Sequence, residues 1–165
     1  MSIRLNQVQA EIFQSRILVR FADCDPAGIV FYPRYLEMFN GLVEDWFREG
    51  LELSFGELIA VRGWGVPTVH LDVDFLAPSR MGETLRASLG VWRIGRSSIH
   101  LDVRMNGPNG EDRVRGKIVL VLTDRNTSRA RTIPDEFHAR IARYFIPDLE
   151  READANSATT QLGPA

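Results

Sequence analysis

Four segments in the second half of the chain alternate apolar and polar residues with a period of two. They are Val69, Leu71, Val73 and Phe75; Leu85, Ala87, Leu89 and Val91; Ile99, Leu101, Val103 and Met105; and Val114, Gly116, Ile118, Leu120 and Leu122. Successive side chains of a strand point to opposite faces, so each segment predicts a strand with one apolar face. A further short strand is expected at Ile17–Phe21. From Pro33 the period lengthens: Leu36, Phe39, Val43, Trp46 and Phe47 recur at helical spacing, with Glu37, Asn40, Glu44, Arg48 and Glu49 between them. This predicts a helix of about four turns. Pro33 suits its first position, where the missing N–H costs nothing, and Gly50 suits its end. Ser54 with Glu57 has the capping-box spacing for a shorter helix to Arg62, and Phe137, Ile141, Tyr144 and Phe145 predict a last one.

The second faces of the strands carry His70, Asp72, Asp74, Arg86, Ser88, His100, Asp102, Arg104, Arg115 and Lys117, which suits solvent or a polar subunit interface. Residues 78–82 and 106–110 are short and rich in turn formers, so they are expected to join antiparallel neighbours. The architecture that results is α+β: an antiparallel sheet of five or so strands curled around the 33–49 helix, with a short C-terminal helix. The chain divides into an N-terminal extension, 1–14, one domain over 15–147, and a polar tail, 148–165, expected to be disordered.

The chain has 165 residues, 44% hydrophobic and 25% charged, so one sizeable core needs no staples. A net charge of −2 gives no electrostatic reason for a nucleic-acid partner. One cysteine cannot form an internal disulfide, and the first residues lack the apolar stretch of a secretory signal, so a cytoplasmic setting is expected. No run approaches the roughly 20 apolar residues of a membrane span.

The stretch D-C-D-P-A-G-I-V-F-Y-P-R-Y, Asp23 to Tyr35, sets two carboxylates and that cysteine against a turn and an aromatic segment. It resembles the signature of the 4-hydroxybenzoyl-CoA thioesterase family, the acyl-CoA thioesterases of the hot-dog fold, with Asp25, Gly28, Val30, Tyr32 and Tyr35 at the pattern's positions. Residues Ile94 to Ser98, I-G-R-S-S, resemble its second, weaker signature. The resemblance runs from Ile17 to about Tyr144. It implies hydrolysis of an acyl-CoA to a carboxylate and free CoA, without metal or cofactor, in a site shared between subunits of a homodimer or a dimer of dimers. It also implies Asp25 as the acidic catalytic residue, nucleophile or general base, and the Tyr32 N–H as the group that polarises the thioester carbonyl.

The residues support that chemistry on their own terms. Thioester hydrolysis needs a nucleophile or an activated water, and a holder for the charge that develops on the carbonyl oxygen. Asp25 supplies the first, either attacking directly or acting as general base; the sequence leaves both open. The first N–H groups of a helix lack internal partners and Pro33 has none to give, which makes the Tyr32 N–H a natural donor. Gly28 permits a left-handed turn, and Ile29, Val30, Phe31 and Tyr35 shield the site from bulk water.

Other candidates carry blander readings beside the functional one. Asp23 suits a turn cap, and Cys24 a small core residue, since a catalytic thiol wants a histidine partner and the nearest in sequence is His70. His70, His100 and His138 suit polar surfaces, and no pair has zinc-ligand spacing with a third ligand. Arg93, Arg96, Ser97 and Ser98 are candidates to meet CoA phosphates or, equally, a solvated hairpin rim. Trp64, Val66, Pro67 and Thr68 are candidates to line the acyl pocket, with Trp64 equally a core plug. A non-catalytic acyl-CoA binder on the same fold is the alternative; a dehydratase lacks its histidine-plus-acid pair.

Overall fold

The computed structural model describes residues 10–147, so the expected tail lies outside the described residues. Pro33 opens helix α1 (Pro33–Asp45), whose buried stripe is Tyr35, Phe39, Leu42 and Val43. The helix continues through a wider π turn, Trp46–Gly50, closed by the Leu51 N–H on the Trp46 carbonyl at 2.9 Å. Gly50 does not end it by a left-handed turn. A Cβ there would meet Trp46 Cδ1 at 2.7 Å and the Tyr144 hydroxyl at 2.8 Å, and it is Glu52 that takes the positive φ, 53°. The Ser54 cap forms as expected, its Oγ accepting the Glu57 N–H at 3.1 Å.

The strands are β1 (Phe13–Leu18), β2 (Trp64–Gly65), β3 (Thr68–Phe75), β4 (Thr84–Ile94), β5 (Ser98–Asn106), β6 (Asp112–Val121), β7 (Thr123–Asp124) and β8 (Arg129–Ala130), followed by helix α2 (Asp135–Ala142). Five of them form an antiparallel sheet in the order β1-β4-β5-β6-β3; β2, β7 and β8 form a small second one. This is the hot-dog arrangement, a sheet wrapped on a long helix. The inner faces of β4, β5 and β6 are the alternating residues read from the sequence: Leu85 to Val91, Ile99 to Met105 and Val114 to Leu120 are buried at every second position. Gly116 lets α1 sit close, because a Cβ there would lie 2.7 Å from Phe39 Cε2.

Three expectations are corrected. The first strand is Phe13–Leu18, not Ile17–Phe21, and so it starts inside the segment read as an extension. Phe21 is 84% exposed and begins a 3₁₀ turn, Phe21–Asp23, in which Asp23 Oδ2 accepts the Arg20 N–H at 2.7 Å. Next, 78–82 is no hairpin: β3 pairs with β6 at the sheet edge, and β4 lies three strand spacings away, roughly 14 Å. Segment 76–83 therefore crosses the end of the sheet, a span its length easily covers. Last, the apolar face of β3 is only partly covered: Val73 packs against the core, but Val69, Leu71 and Phe75 are 58%, 38% and 50% exposed. As the edge strand, β3 has a neighbour on one side only, and Phe75 still meets the rings of Tyr32 and Tyr35 at the start of α1, with centroids 5.9 and 5.8 Å away.

Candidate active site

Residues 23–31 fold back on themselves between β1 and α1. The Asp25 N–H donates to the Ile29 carbonyl, the Gly28 N–H to the Asp25 carbonyl, and the Phe31 N–H to the Asp23 carbonyl, each at 2.9 Å. Gly28 makes the reversal possible with φ +77°, a left-handed conformation that costs glycine least; nothing lies within 4 Å of where a Cβ would be. Asp25 Oδ1 accepts the Ala27 N–H at 2.8 Å, an Asx turn that orients the carboxylate. This small hairpin is held to the body by segment 76–83. The Val30 N–H donates to the Ser79 carbonyl at 2.9 Å, the Met81 N–H to the Gly28 carbonyl at 3.3 Å, and Ile29 bridges Arg80.

Asp25 is half-buried and lines a cleft of about 300 Å³ with Ala22, Cys24, Pro26, Phe31 and Arg34. Between Phe31 and Arg34 the helix begins: Arg34 N–H bonds the Phe31 carbonyl and Tyr35 N–H the Tyr32 carbonyl, while the Tyr32 N–H has no acceptor among the described residues. An unpaired N–H at the positive end of a helix is a donor held ready for an oxyanion. Arg34 forks onto both Glu37 oxygens at 3.0 and 2.8 Å, which raises its pKa further above the ordinary arginine value. Partial burial first, then the charges of Asp23 and Asp25, push the Cys24 thiol up, and its Sγ–H points to the Arg20 carbonyl at 3.5 Å. That environment disfavours a thiolate nucleophile.

A second, apolar groove of about 190 Å³ lies between α1 and the sheet, lined by Leu36, Phe39, Asn40, Val43, Phe55, Val66, Thr68, Leu71, Ile118 and Leu120. Of the residues expected along an acyl pocket, Val66 and Thr68 are there. Pro67 is exposed and its carbonyl accepts the Val121 N–H, which holds β3 against β6. Trp64 is a core plug instead: it is buried against Phe137, with the Arg62 and Arg131 guanidinium groups 5.1 and 4.2 Å from its ring centre. Val30 also packs in the core, 6% exposed.

Arg93, Arg96, Ser97 and Ser98 surround the β4–β5 turn, closed by the Gly95 N–H on the Ser98 carbonyl at 2.8 Å. Arg96 Nε donates to Thr132 Oγ1 at 3.0 Å, Ser97 accepts the Leu122 N–H, and Ser98 Oγ meets His100 Nε2 at 3.1 Å. Three of the four thus have local partners that explain them. The sequence reading missed Arg34 as a wall of the Asp25 cleft and Ser79 as its anchor. Arg34 lay within the quoted stretch, but nothing in the sequence marked Ser79. Among the described residues no group of three or more His, Cys, Asp or Glu side chains is placed to hold a metal ion.

With this geometry in hand, comparison with known proteins identifies the class. A model of the thioesterase-like superfamily matches residues 19–141, and the chain belongs to that superfamily. It is similar to a 1,4-dihydroxy-2-naphthoyl-CoA hydrolase of Synechocystis sp., 34% identical over 73 residues, which are 44% of this chain and 52% of that protein. The match therefore spans about half of that relative's length. A 4-hydroxybenzoyl-CoA thioesterase of Pseudomonas sp. is 24% identical over 129 residues, 72% of this chain and 89% of that one. In fold, the crystal structure of a 1,4-dihydroxy-2-naphthoyl-CoA thioesterase from Synechocystis superposes with a TM-score of 0.74 at 23% identity, covering 80% of this chain and 96% of the other.

Proposed function

We propose that the protein is an acyl-CoA thioesterase, hydrolysing a CoA thioester to a carboxylate and free CoA. The observations that carry this reading are the Asp25 carboxylate on a cleft and, seven residues further on, the unpaired Tyr32 N–H at the start of α1. The amide takes the charge that develops on the carbonyl oxygen; Asp25 attacks the carbonyl carbon or takes a proton from an attacking water. Neither metal nor cofactor enters the reading. Residues 13–147 act as one catalytic domain, in a reducing, cytoplasmic setting that suits the free Cys24.

The acyl group belongs in the apolar groove along α1. Asn40 is the exposed amide on its wall and has no hydrogen-bond partner among the described residues, which favours an acyl group carrying a hydroxyl. The hydroxylated aromatic acyl groups in the relatives' names fit that description. Self-association belongs to the reading too: β3 ends the sheet with an unpaired edge, and Val69, Phe75, Leu76 and Met81 expose apolar surface beside it. A homodimer through this edge, or a dimer of dimers, covers that surface.

Release of free thiol from aromatic, short-chain and long-chain acyl-CoAs, by the wild type and by Asp25→Asn, tests the proposal. Turnover that collapses in the variant supports it. Equal rates remove Asp25 from the mechanism, and binding without turnover by the wild type replaces it with the acyl-CoA binder.

A further inference from the structure

Two buried polar side chains of the described chain act on the same segment. They are Ser79 and Arg113, 0% and 8% exposed, and both hold segment 76–83. Arg113 donates to the Pro78 carbonyl through Nη1 and, through Nη2, to Glu83 at 3.1 Å and Glu111 at 2.5 Å; its own carbonyl accepts the Leu76 N–H at 2.9 Å and the Ala77 N–H at 3.2 Å. Ser79 then joins two other elements to this strap. Its carbonyl accepts the Val30 N–H from the Asp25 hairpin, and its Oγ accepts the hydroxyl of Tyr35, a buried residue of α1, at 2.8 Å.

The hairpin's internal bonds fix its shape but not its place. Its place relative to α1 depends on the backbone through Tyr32, the Arg34 N–H on the Phe31 carbonyl, and the contacts to 79–81. Among those contacts the Val30–Ser79 bond is short, the Met81–Gly28 bond is long at 3.3 Å, and only Ser79 also grips the helix. A buried neutral hydrogen bond between side chains is costly to leave half made, so it selects one arrangement of the elements it joins.

We propose that Ser79 is a positioning residue: with Tyr35 it fixes the Asp25 hairpin against the first turn of α1 and so sets the separation of the Asp25 carboxylate from the Tyr32 N–H. This rests on the reading of those two groups as the reacting pair. Neither Ser79 nor Tyr35 needs to touch the substrate for this role.

The test compares Tyr35→Phe, Ser79→Ala and the double variant with the wild type. With the best acyl-CoA substrate, each single variant is expected to lose about tenfold to a hundredfold in kcat, the scale of a small misplacement, with KM within about twofold. The double variant is expected to lose no more than the worse single one, because both remove the same bond. Amide exchange of residues 28–31 is expected to quicken in all three variants while β4 and β5 keep wild-type protection. Unchanged kcat, additive losses, or exchange that quickens evenly across the sheet would overturn the proposal. If Ser79→Ala fails to fold, Tyr35→Phe, which leaves Ser79 in place, decides alone. If the wild type hydrolyses no acyl-CoA, the thioesterase reading fails, and the exchange of 28–31 still shows whether Ser79 and Tyr35 hold the hairpin.

Discussion

Asp25 holds the Ala27 N–H on Oδ1 at 2.8 Å, while its second carboxylate oxygen has no partner among the described residues. One oxygen builds the turn and the other is left for chemistry. Asparagine at 25 can keep the first contact and lose the second function. Asp25→Asn is therefore expected to reduce kcat by about 100-fold to 10,000-fold with a nearly unchanged melting temperature. Asp25→Ala loses the turn as well and is expected to melt lower; thiol-release kinetics beside thermal denaturation separates the two.

The edge of the sheet should respond to charge. Val69 is 58% exposed on β3, and a lysine there disfavours pairing with another strand. Light scattering after gel filtration is expected to show Val69→Lys shifted to the monomer at concentrations where the wild type associates. A wild type that elutes as a monomer at every concentration would rule out association through β3.

Gly116 faces Phe39, and its replacement by alanine puts a methyl 2.7 Å from Cε2. Both residues sit in the core, so the ring or the helix has to move. Gly116→Ala is expected to cost about 1 to 3 kcal/mol in urea denaturation, the range for overpacking a core. A smaller substitution at 39 should recover part of that loss.

His100 gives stability a pH dependence. Burial first, then the nearby Arg93 and His70, hold its pKa below the ordinary 6.5. The folded state thus prefers the neutral ring, so this contribution is complete above the unfolded pKa and is lost as pH falls through 6.5 toward the folded value. Denaturation midpoints between about pH 5 and 8 are expected to fall on the acid side for the wild type and less so for His100→Gln.

The sequence made β4, β5, β6 and α1 legible because burial on one face forces the spacing of their apolar residues. The Asp25 hairpin was legible for a related reason: its bonds, Asp25 to Ile29 and Asp23 to Phe31, close over a few residues and need Gly28 to do so. The same reasoning overreached on β3, since alternation looks alike whether a face is fully covered or partly exposed. It failed on 78–82 because proline, serine and glycine suit a crossing strap as well as a hairpin turn. Ser79 was invisible as a consequence; its side-chain partner lies 44 residues away, a pairing that no local pattern records.

The tryptophans give this protein a built-in optical probe. Trp46 and Trp64 are buried in the core, and none of the three tryptophans lines the Asp25 cleft or the acyl groove, so unfolding changes their surroundings while a ligand in either place does not touch them. Trp92 lies on the outer face, edge-on to the His100 ring with centroids 4.9 Å apart. An imidazolium at that range quenches an indole, so the protonation of a single side chain can be followed as a dimming of the fluorescence.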